Sequence, residues 1–403
     1  MKIDPKTLIK DYQLNLCIQC GTCTGGCPLK LRSPLNMRRL VRETHLQSSL
    51  PQVLKRPELW ACTTCSTCSL RCPAGVKNVE MIMGIRNILT RQGDIPSTIK
   101  DALEHTLLHG NPWGRFRDRR VDWAKDLAIK IIGEEETDTL FYVGCTPSYD
   151  PRAQNISKSL VKIFQKVGFD FGILGKKETC CGNEIRRMGE QTLFKKLAKD
   201  NLALFQKSGI KKIVAISPHC YHAFKNDYPE SGIEILHYTQ LLADWLSSGK
   251  LKLEKNLDMR VTYQDPCFLG KQNKIFDEPR RILSFIPGLD FVEMDRSRER
   301  SLCCEGGGGR MWAEGGTTGT RNGEVRINEA LSLGASVIST ACPFCLLTLE
   351  DAVKISGRAD RIVVKDISEL VAEAIDDANS NGRHSRGNGT LENQRLDSGS
   401  SPE

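Results

Sequence analysis

Two cysteine motifs near the start of the chain have the residue type and spacing for metal–sulfur chemistry. Their members are Cys17, Cys20, Cys23 and Cys27 in the first motif, and Cys62, Cys65, Cys68 and Cys72 in the second. Both have the spacing C-x2-C-x2-C-x3-C, and a proline follows the last cysteine of each. Gaps of two residues let one loop wrap three thiolates around an inorganic centre while the fourth cysteine points away. The motifs therefore predict two metal–sulfur centres that carry single electrons.

Both motifs match the pattern of bacterial two-cluster ferredoxins. In that pattern the fourth cysteine of each motif binds the other cluster, so the resemblance implies two [4Fe-4S] clusters with crossed ligands. The implied sets are Cys17, Cys20, Cys23 and Cys72 for the first cluster, and Cys27, Cys62, Cys65 and Cys68 for the second. Zinc is the alternative, but zinc usually takes two separated cysteine pairs, which two complete runs fit poorly.

The overall composition agrees with a metal-binding protein of several domains. The chain has 403 residues, of which 39% are hydrophobic and 26% are charged, a balance typical of soluble proteins. No long uncharged apolar run is present and the first ten residues contain no apolar signal, so we expect neither a membrane span nor an export signal. The cytoplasm is the expected compartment, where seventeen cysteines indicate metal binding rather than disulfides.

The net charge of +8 is modest, but two local basic groups stand out. They comprise Lys30, Arg32, Arg38, Arg39 and Arg42, then Arg115, Arg117, Arg119 and Arg120. We interpret them as solvated surface, or alternatively as a docking face for an acidic redox partner, because complementary charge speeds encounter. No basic patch interleaved with aromatic residues is visible, so nucleic-acid binding is not expected.

The second half of the sequence repeats itself. Strand-like runs at 139–144 and 261–264 lead into Cys145 and Cys267. Adjacent cysteine pairs follow, Cys180 with Cys181 and Cys303 with Cys304, and then a late group that contains Cys220 in the first copy and Cys342 and Cys345 in the second. Short β-branched runs alternate with helical patterns such as 156–167 and 190–207, which predicts α/β units around parallel sheets.

The predicted fold class is α+β and multi-domain. A helical ferredoxin-like domain with two clusters occupies residues 1–100, and a connector with a short helix over 121–132 occupies 101–137. Duplicated α/β units follow at 138–250 and 251–375. The polar sequence 376–403 is predicted to be a disordered tail.

Strand ends explain how the distant cysteines of one repeat could meet, because α/β sheets gather ligands at the carboxyl edge of their strands. The second repeat offers five thiols, whereas the first offers four. When Pro218 is aligned with Pro343, Ser217 falls opposite Cys342. The first repeat therefore lacks one thiol of the set.

This cysteine pattern resembles the CCG domain of heterodisulfide reductase, and the whole arrangement resembles the D subunit of that enzyme. It is similar also to the iron–sulfur subunits of glycolate oxidase, anaerobic glycerol-3-phosphate dehydrogenase and lactate-utilisation systems. The resemblance implies a noncubane [4Fe-4S] cluster on Cys267, Cys303, Cys304, Cys342 and Cys345. For Cys145, Cys180, Cys181 and Cys220 a further cluster stays open, because serine is a poorer iron ligand and a four-thiolate cube could still form.

Three further features allow more than one interpretation. The nine cysteines of the repeats could be buried thiols, although two ordered pairs in a matched repeat argue against that. The glycine run 306–309, which follows the inserted Glu305, lacks the lysine of a phosphate loop, so we interpret it as close backbone approach to a cluster. The histidines His219, His222 and His237 are candidate ligands or proton donors, but a lone histidine is more often structural.

Taken together, these patterns predict an iron–sulfur electron-transfer subunit of a multi-subunit oxidoreductase of anaerobic metabolism. The alternative is a catalytic heterodisulfide reductase subunit that uses the noncubane cluster, and the third class is a structural or regulatory metal-binding module. No catalytic residue is assigned. The sequence has no flavin or nicotinamide fingerprint, so the expected partner is a flavoprotein or other redox subunit. A membrane-bound cytochrome-like subunit could also hold the chain at the inner face of the membrane.

Overall fold

The computed structural model describes residues 5–313 and 315–375. Within these residues no helix combines the length and the apolar character needed to cross a membrane. The predicted disordered tail, 376–403, lies outside the described residues.

Helices are the only regular secondary structure in the described part of the first hundred residues. They are α1 (Pro5–Asp11), α2 (Thr22–Gly25), α3 (Met37–His45), α4 (Leu50–Leu54), α5 (Thr67–Leu70), α6 (Asn78–Gln92) and α7 (Ser97–His109), with 3-10 turns at Leu14–Leu16 and Pro57–Ala61. The longest, α6, buries Met81, Ile85 and Leu89, which share one face because they are four residues apart. It ends at Gly93, which takes the left-handed conformation that glycine adopts readily.

Two parallel sheets follow. Their strands are β1 (Lys130–Ile131), β2 (Thr139–Tyr142), β3 (Gly172–Ile173), β4 (Lys212–Ala215), β5 (Glu234–His237), β6 (Met259–Gln264), β7 (Leu289–Phe291), β8 (Val337–Thr340) and β9 (Val363–Asp366). The first sheet has the order β1-β3-β2-β4-β5, and the second has the order β7-β6-β8-β9. The duplication is thus confirmed in three dimensions, since β3-β2-β4-β5 and β7-β6-β8-β9 have the same order.

Helices connect the parallel strands. They are α8 (Cys145–Tyr149), α9 (Gln154–Lys166), α10 (Asn183–Arg187), α11 (Gln191–Lys207), α12 (Pro218–His222), α13 (Tyr238–Ser247), α14 (Gly270–Asn273), α15 (Asp277–Ser284), α16 (Asn322–Ser332), α17 (Pro343–Ile355) and α18 (Ile367–Ala374). Short 3-10 turns lie at Gly175–Lys177 and Arg298–Arg300, and one π-helical turn lies at Ala223–Asp227. The predicted helices at 156–167 and 190–207 are confirmed as α9 and α11.

One interior strand of each sheet is buried along its whole length, as helices on both faces of a parallel sheet require. Every residue of β2 and β8 is buried, and the register pairs Thr139 with Lys212 and Val261 with Val337. The two sheets and the helices of the first hundred residues share one continuous hydrophobic core.

The predicted helix over 121–132 is wrong. The chain instead forms a 3-10 helix at Arg117–Ala124 and then the strand β1, which pairs with β3. Backbone pairing with the edge of the first sheet overrides the weak helical pattern of this segment. A segment predicted to belong to the connector therefore contributes a strand to the first sheet.

Candidate iron–sulfur sites

The two N-terminal motifs follow the same backbone course. The first cysteine of each motif comes directly after a 3-10 turn, Leu14–Leu16 or Pro57–Ala61. The third cysteine lies in α2 or α5, and each of these helices is preceded by a left-handed residue, Gly21 at φ 82° or Ser66 at φ 63°. Because α2 and α5 pack against each other, the two loops face one another.

The first group of thiols draws on both motifs. The thiol of Cys23 is close enough to interact electrostatically with the thiols of Cys17 and of Cys72, the last cysteine of the second motif. Cys20 belongs to the same loop as Cys17 and Cys23 and is exposed. The structure thus places a thiol of the second motif beside the loop of the first, on the surface side of the domain.

The second group of thiols also combines the two motifs, with one cysteine from the first and three from the second. Cys27, the last cysteine of the first motif, lies within electrostatic range of Cys62 and Cys65, and Cys68 lies near all three of these thiols. Burial raises the pKa of the Cys27 thiol to about 12. Cys62, Cys65 and Cys68 are buried, so this group lies deeper than the first.

The four cysteines of the first repeat converge from different elements. Cys145 begins α8 directly after β2, Cys180 and Cys181 follow the turn Gly175–Lys177, and Cys220 lies in α12 after β4. Their side chains form a continuous series of contacts in the order Cys145, Cys180, Cys181, Cys220. All four line a cavity of about 40 Å3, which Ser217 also lines.

Arg120 is buried beside this group, which corrects its interpretation as solvated or docking surface. Its guanidinium is 2% exposed and donates to Glu178 at 2.6 Å. A second contact joins Nη2 to the sulfur of Cys145 at 3.8 Å. The carboxylate of Glu178 also accepts the backbone N–H of Gly144 at 2.9 Å. Arg120 therefore presents a positive charge, fixed by a buried ion pair, to a candidate ligand sulfur.

The five cysteines of the second repeat also converge. Cys267 follows β6, and Cys342 and Cys345 lie at the start of α17 after β8. Their contacts run in the order Cys267, Cys303, Cys304, Cys345, Cys342. The sulfurs of Cys304 and Cys345 are 3.1 Å apart. Strand ends that lie side by side bring these thiols together, as the parallel arrangement predicts.

A contact between thiols joins the N-terminal motifs to the second repeat. The side chain of Cys65 hydrogen-bonds with that of Cys303, and both pack with Cys267 and Phe268 in one buried group. The sulfur of Cys303 is also 3.4 Å from the hydroxyl of Thr63. The deeper N-terminal group and the five-cysteine group are therefore direct neighbours.

Of the three candidate histidines, His219 reaches a cysteine of the other repeat. Its Nδ1 is 2.9 Å from Glu184, and its ring contacts the thiol of Cys342. Burial opposes its protonation, but Cys342 and Glu184 raise the pKa of His219 to about 9. In return, although burial acts in the opposite direction, hydrogen bonds from Cys345 and His219 lower the pKa of Cys342 to about 5.

The other two histidines lie in structural positions. His237 is buried and caps α13, and Nδ1 of His222 lies 3.1 Å from the amide of Asn226. Burial lowers the pKa of His237 to about 3 and that of His222 to about 2, so both rings are neutral. Their contacts agree with the structural interpretation.

The position after the cysteine pair differs between the repeats. Gly182 and Glu305 both take the left-handed conformation, at φ 79° and φ 72°. Glycine adopts it freely, whereas any other residue is strained there. The carboxylate of Glu305 is held by the buried guanidinium of Arg32 and by the backbone N–H of Asn322 at 2.8 Å. Arg32 is therefore also buried, contrary to its interpretation as solvated or docking surface.

The glycine run packs against the second N-terminal motif. Gly308 takes a φ of 67°, and a Cβ atom there would lie 2.6 Å from the backbone of Thr63. At Gly307 a Cβ atom would be 3.2 Å from the carbonyl oxygen of Thr63. The glycine run thus lies close to the loop that carries Cys62 and Cys65, while the expected approach of its backbone to a cluster stays a prediction.

Two buried cations show that the donor set fits an anionic group. Lys271 is 3% exposed and Arg86 is fully buried. Lys271 donates to the hydroxyl of Thr67 and the carbonyl of Ser301, while Arg86 donates to backbone carbonyls that include that of Cys62. Within residues 5–313 and 315–375 neither cation forms an ion pair with a carboxylate. A [4Fe-4S] cluster on thiolates carries net negative charge and would balance them.

Several of the other buried thiols, unlike Cys342, need a metal to ionise. Contact with Cys303 and burial raise the pKa of Cys65 and of Cys267 well above the usual value. Metal ligation requires thiolates and releases their protons, so iron would have to drive the ionisation. Over the described residues no three His, Cys, Asp or Glu side chains are placed to hold a single metal ion.

Sequence reasoning missed Lys271, Arg86, Glu178 and Glu184. A charged residue that is buried beside a cysteine has no local signature, because its partner comes from another part of the chain. The nearest signal was the motif Cys-Cys-Gly-Asn-Glu, in which Glu184 closely follows the cysteine pair.

Comparison with protein families identifies both cysteine regions. Residues 13–76 match a family described as a 4Fe-4S dicluster domain. Residues 139–225 and 261–350 each match the CCG family, described as a cysteine-rich domain. The match that occurs twice agrees with the two sheets of matching strand order.

Three curated relatives are similar over most of the chain. The D subunit of a dihydromethanophenazine:CoB–CoM heterodisulfide reductase from Methanosarcina barkeri is 35% identical, over 93% of this chain and 97% of its own length. The probable iron-sulfur-binding oxidoreductase FadF of Bacillus subtilis is 36% identical over 90% of this chain. An EtfAB:quinone oxidoreductase from Syntrophomonas wolfei is 35% identical over 82%. The chain spans only 60% of the FadF sequence and 48% of the Syntrophomonas sequence.

One solved structure has a similar fold. A hypothetical protein from Helicobacter pylori superposes with a TM-score of 0.58 at 14% sequence identity, over 94% of this chain and 74% of that chain. At this identity the likeness concerns the fold alone.

Proposed function

This chain belongs to the family of heterodisulfide reductase D subunits, and from that premise we propose that it relays single electrons within a multi-subunit oxidoreductase. It is an iron–sulfur protein with a 4Fe-4S dicluster region and two cysteine-rich repeats. The observation that carries the proposal is the contact between Cys65 and Cys303. It would put a ferredoxin-type cluster next to the cluster of the second repeat, a separation suited to rapid electron exchange.

The proposed ligand sets follow the groups of neighbouring thiols. Cys17, Cys20, Cys23 and Cys72 would hold one [4Fe-4S] cluster, Cys27, Cys62, Cys65 and Cys68 a second, and Cys267, Cys303, Cys304, Cys342 and Cys345 a noncubane cluster. Each cluster supplies one-electron chemistry when bound. A further cluster on Cys145, Cys180, Cys181 and Cys220 is supported by their contacts and by the fixed cation of Arg120.

Exposure of the first thiol group supports electron exchange with a partner at that surface. Cys20 is exposed, and the neighbouring Ile18 is 68% exposed. The cations Arg38 and Arg42 on α3 are also exposed. An apolar contact surrounded by positive charge suits the acidic face of a redox partner, because complementary charge steers the encounter. We propose a flavoprotein subunit as that partner, since the sequence has no flavin or nicotinamide fingerprint of its own.

The remaining residues would tune and protect the relay. Arg120 would stabilise the thiolate of Cys145, and the pair His219–Glu184 would orient a hydrogen bond to Cys342 in the manner of a carboxylate–histidine pair beside a metal ligand. The buried aromatic ring of Phe268 lies against His219 at 4.0 Å between ring centres. Cys342 itself is buried, so water has little access to its sulfur.

The test is a comparison of Cys303→Ala with Cys20→Ser in anaerobically purified full-length protein. We expect at least eight irons per chain from the two N-terminal clusters, in addition to those of the repeats. Cys303→Ala should remove the paramagnetic resonance signal of the second-repeat cluster and keep both N-terminal signals. Cys20→Ser should disturb one N-terminal signal and leave that of the second repeat.

Two results would refute the proposal. The first is an iron content near four with stoichiometric zinc, which would replace the clusters by zinc sites. The second is a Cys303→Ala protein that retains all signals and the full rate of electron transfer through the assembled complex. In that case the second repeat would hold buried thiols and serve as a scaffold.

A further inference from the structure

A pocket of about 680 Å3 opens between the first N-terminal motif and the second repeat. Cys27 and Thr67 line it from the N-terminal side, and Ser301 and Asn322 line it from the second repeat. Its volume lies within the range of small-molecule sites, roughly 300 to 1,000 Å3. Among the cysteines, only Cys27 lines it.

The wall of this pocket is strongly basic. Five cations line it, namely Lys30, Arg32, Arg71, Arg296 and Arg300, and none of its lining residues is acidic. Arg32 is paired with Glu305 and Arg296 with Glu329, and Arg300 has an exposed partner in Asp295 at 3.2 Å. Lys30 and Arg71 contact no carboxylate in the part of the chain that the structure describes. The pocket therefore has an excess of positive charge.

One buried cation adds to this field. Lys271 is 3% exposed and forms no ion pair with a carboxylate among the described residues, whereas the guanidinium of Arg32 is paired with Glu305. Lys271 lies directly behind the wall, because both groups to which it donates, the hydroxyl of Thr67 and the carbonyl of Ser301, belong to residues that line the pocket. Buried charges are screened less by salt than exposed ones, so they act on the interior of the pocket.

We propose that this pocket binds a small molecule that carries phosphate groups. Arginine recognises phosphate oxygens through two parallel N–H donors, and lysine binds them as a point charge. Lys30 and Arg71 are free to move onto such a ligand because they are exposed and have no carboxylate to release among the described residues. The concave shape favours a small molecule over the convex face of a protein.

Binding there would be coupled to the redox state of the neighbouring thiol group. An anion next to Cys27 opposes the addition of an electron to the cluster that Cys27 would help to bind. The ligand should therefore bind more tightly to the oxidised protein, and by reciprocity it should lower the reduction potential of that cluster. The binding measurement itself does not depend on the electron relay, so the two proposals can fail separately.

The test uses inorganic pyrophosphate as the probe and the cluster-loaded full-length protein. Calorimetry at constant ionic strength should show saturable binding at one site per chain. The double variant Lys30→Gln/Arg71→Gln should weaken that binding by about a hundredfold, roughly tenfold for each charge-assisted contact. The matched control is Arg91→Gln, which removes an exposed cation of α6 that does not line the pocket. It should bind pyrophosphate as the unmodified protein does.

Three other outcomes would overturn the proposal. One is an equal loss in Arg91→Gln, which would assign the effect to general surface charge. Another is the absence of saturation, or tighter binding of citrate than of pyrophosphate, because a tricarboxylate would then be the better ligand. The third is the binding of an acidic partner protein that Lys30→Gln/Arg71→Gln weakens, without any binding of pyrophosphate, which would make the groove a protein-docking surface. An iron content equal to that of the unmodified protein confirms that the variants are folded.

Discussion

The ammonium nitrogen of Lys271 lies 2.9 Å from the hydroxyl oxygen of Thr67, which in turn is 3.4 Å from the sulfur of Cys65. The same ammonium donates to the carbonyl of Ser301 at 2.6 Å. A buried cation without a carboxylate is costly unless another negative group is near. Lys271 lies where the deeper N-terminal thiol group meets the second repeat, so an anionic cluster on Cys65 would balance it.

Replacing Lys271 with methionine should lower the reduction potential of the cluster bound through Cys65. Loss of a nearby positive charge makes the added electron less favourable, by about 50 to 150 mV for a separation of several ångströms. Redox titration followed by electron paramagnetic resonance measures this shift. Lys271→Arg keeps the charge and is the control. Equal potentials in the methionine variant and the unmodified protein would contradict the assigned charge balance.

Replacing Glu305 with glycine should destabilise the protein although it relieves backbone strain. Glycine at a φ of 72° recovers about 1 to 2 kcal/mol. Removing one partner of a buried ion pair costs about 3 to 5 kcal/mol, because the guanidinium of Arg32 would stay buried without its carboxylate. We therefore expect a net loss of about 1 to 4 kcal/mol in the free energy of unfolding, measured by denaturant titration.

An exposed pair gives the control for this prediction. Lys196 and Asp200 form an ion pair one helical turn apart on α11, and both side chains are more than half exposed. Asp200→Asn should cost no more than about 0.5 kcal/mol. A Glu305→Gly protein as stable as Asp200→Asn would mean that Arg32 finds another partner or reaches water.

Local patterns predicted the features that depend on local sequence. Strands β2 and β6 were predicted because a buried parallel strand is a short apolar run rich in β-branched and aromatic residues, and the duplication was predicted because its landmarks recur in order. The burial of Arg120 and Arg32 was not predicted. Their partners Glu178 and Glu305 are 58 and 273 residues away, so nothing near either arginine distinguishes it from a solvated one.

The contact between Cys65 and Cys303 also could not be predicted from the sequence. Spacing within each motif indicates which thiols share a loop, but it contains no information on how one domain docks against another. The contact depends on the glycine run 306–309, which lets the second repeat approach the backbone of Thr63. The run was assigned to close backbone approach, but its partner could be named only from the folded chain.

Replacing Asp366 with asparagine should remove a pH dependence of stability. Burial raises the pKa of Asp366 to about 7, so its folded state favours the protonated form. The contribution of this preference to the free energy of unfolding is fully present below the ordinary pKa of aspartate, near 4. It is lost as the pH rises to about 7. The loss is at most about 4 kcal/mol.

Asparagine can reproduce the contacts of the neutral acid. Oδ1 of Asp366 accepts from Tyr238 at 2.7 Å and from the backbone N–H of Ser368 at 2.9 Å, whereas Oδ2 has no hydrogen-bond partner among the described residues. Thermal unfolding should thus be followed between about pH 4 and 8. We expect the Tm of Asp366→Asn to rise relative to the Tm of the unmodified protein as the pH increases. A constant difference across this range would refute the raised pKa.

Replacing Ser217 with cysteine should give the first repeat the five-thiol set of the second. Ser217 and Cys342 occupy the same position, the N-cap of the helix that follows the equivalent strands β4 and β8. Ser217 lines the cavity shared by Cys145, Cys180 and Cys220, so a thiol there would join their group. We expect Ser217→Cys to change the paramagnetic resonance signal of the first repeat towards that of the second, without any change in the N-terminal signals.

Ser217→Ala is the matched control for this last prediction. The hydroxyl of Ser217 accepts the backbone N–H of His219 at 3.3 Å, and the loss of such a cap costs about 1 kcal/mol. Alanine removes this cap as cysteine does, but it adds no new ligand. To separate the repeats, both variants are measured in a Cys303→Ala background, where the second-repeat signal should be absent. If the cysteine and alanine variants then give the same spectrum and the same iron content, the first repeat does not bind iron through this position. Its four thiols would then form either a complete four-ligand site or a buried thiol core, and iron analysis of Cys180→Ala distinguishes the two, because only a cluster loses iron with its ligand.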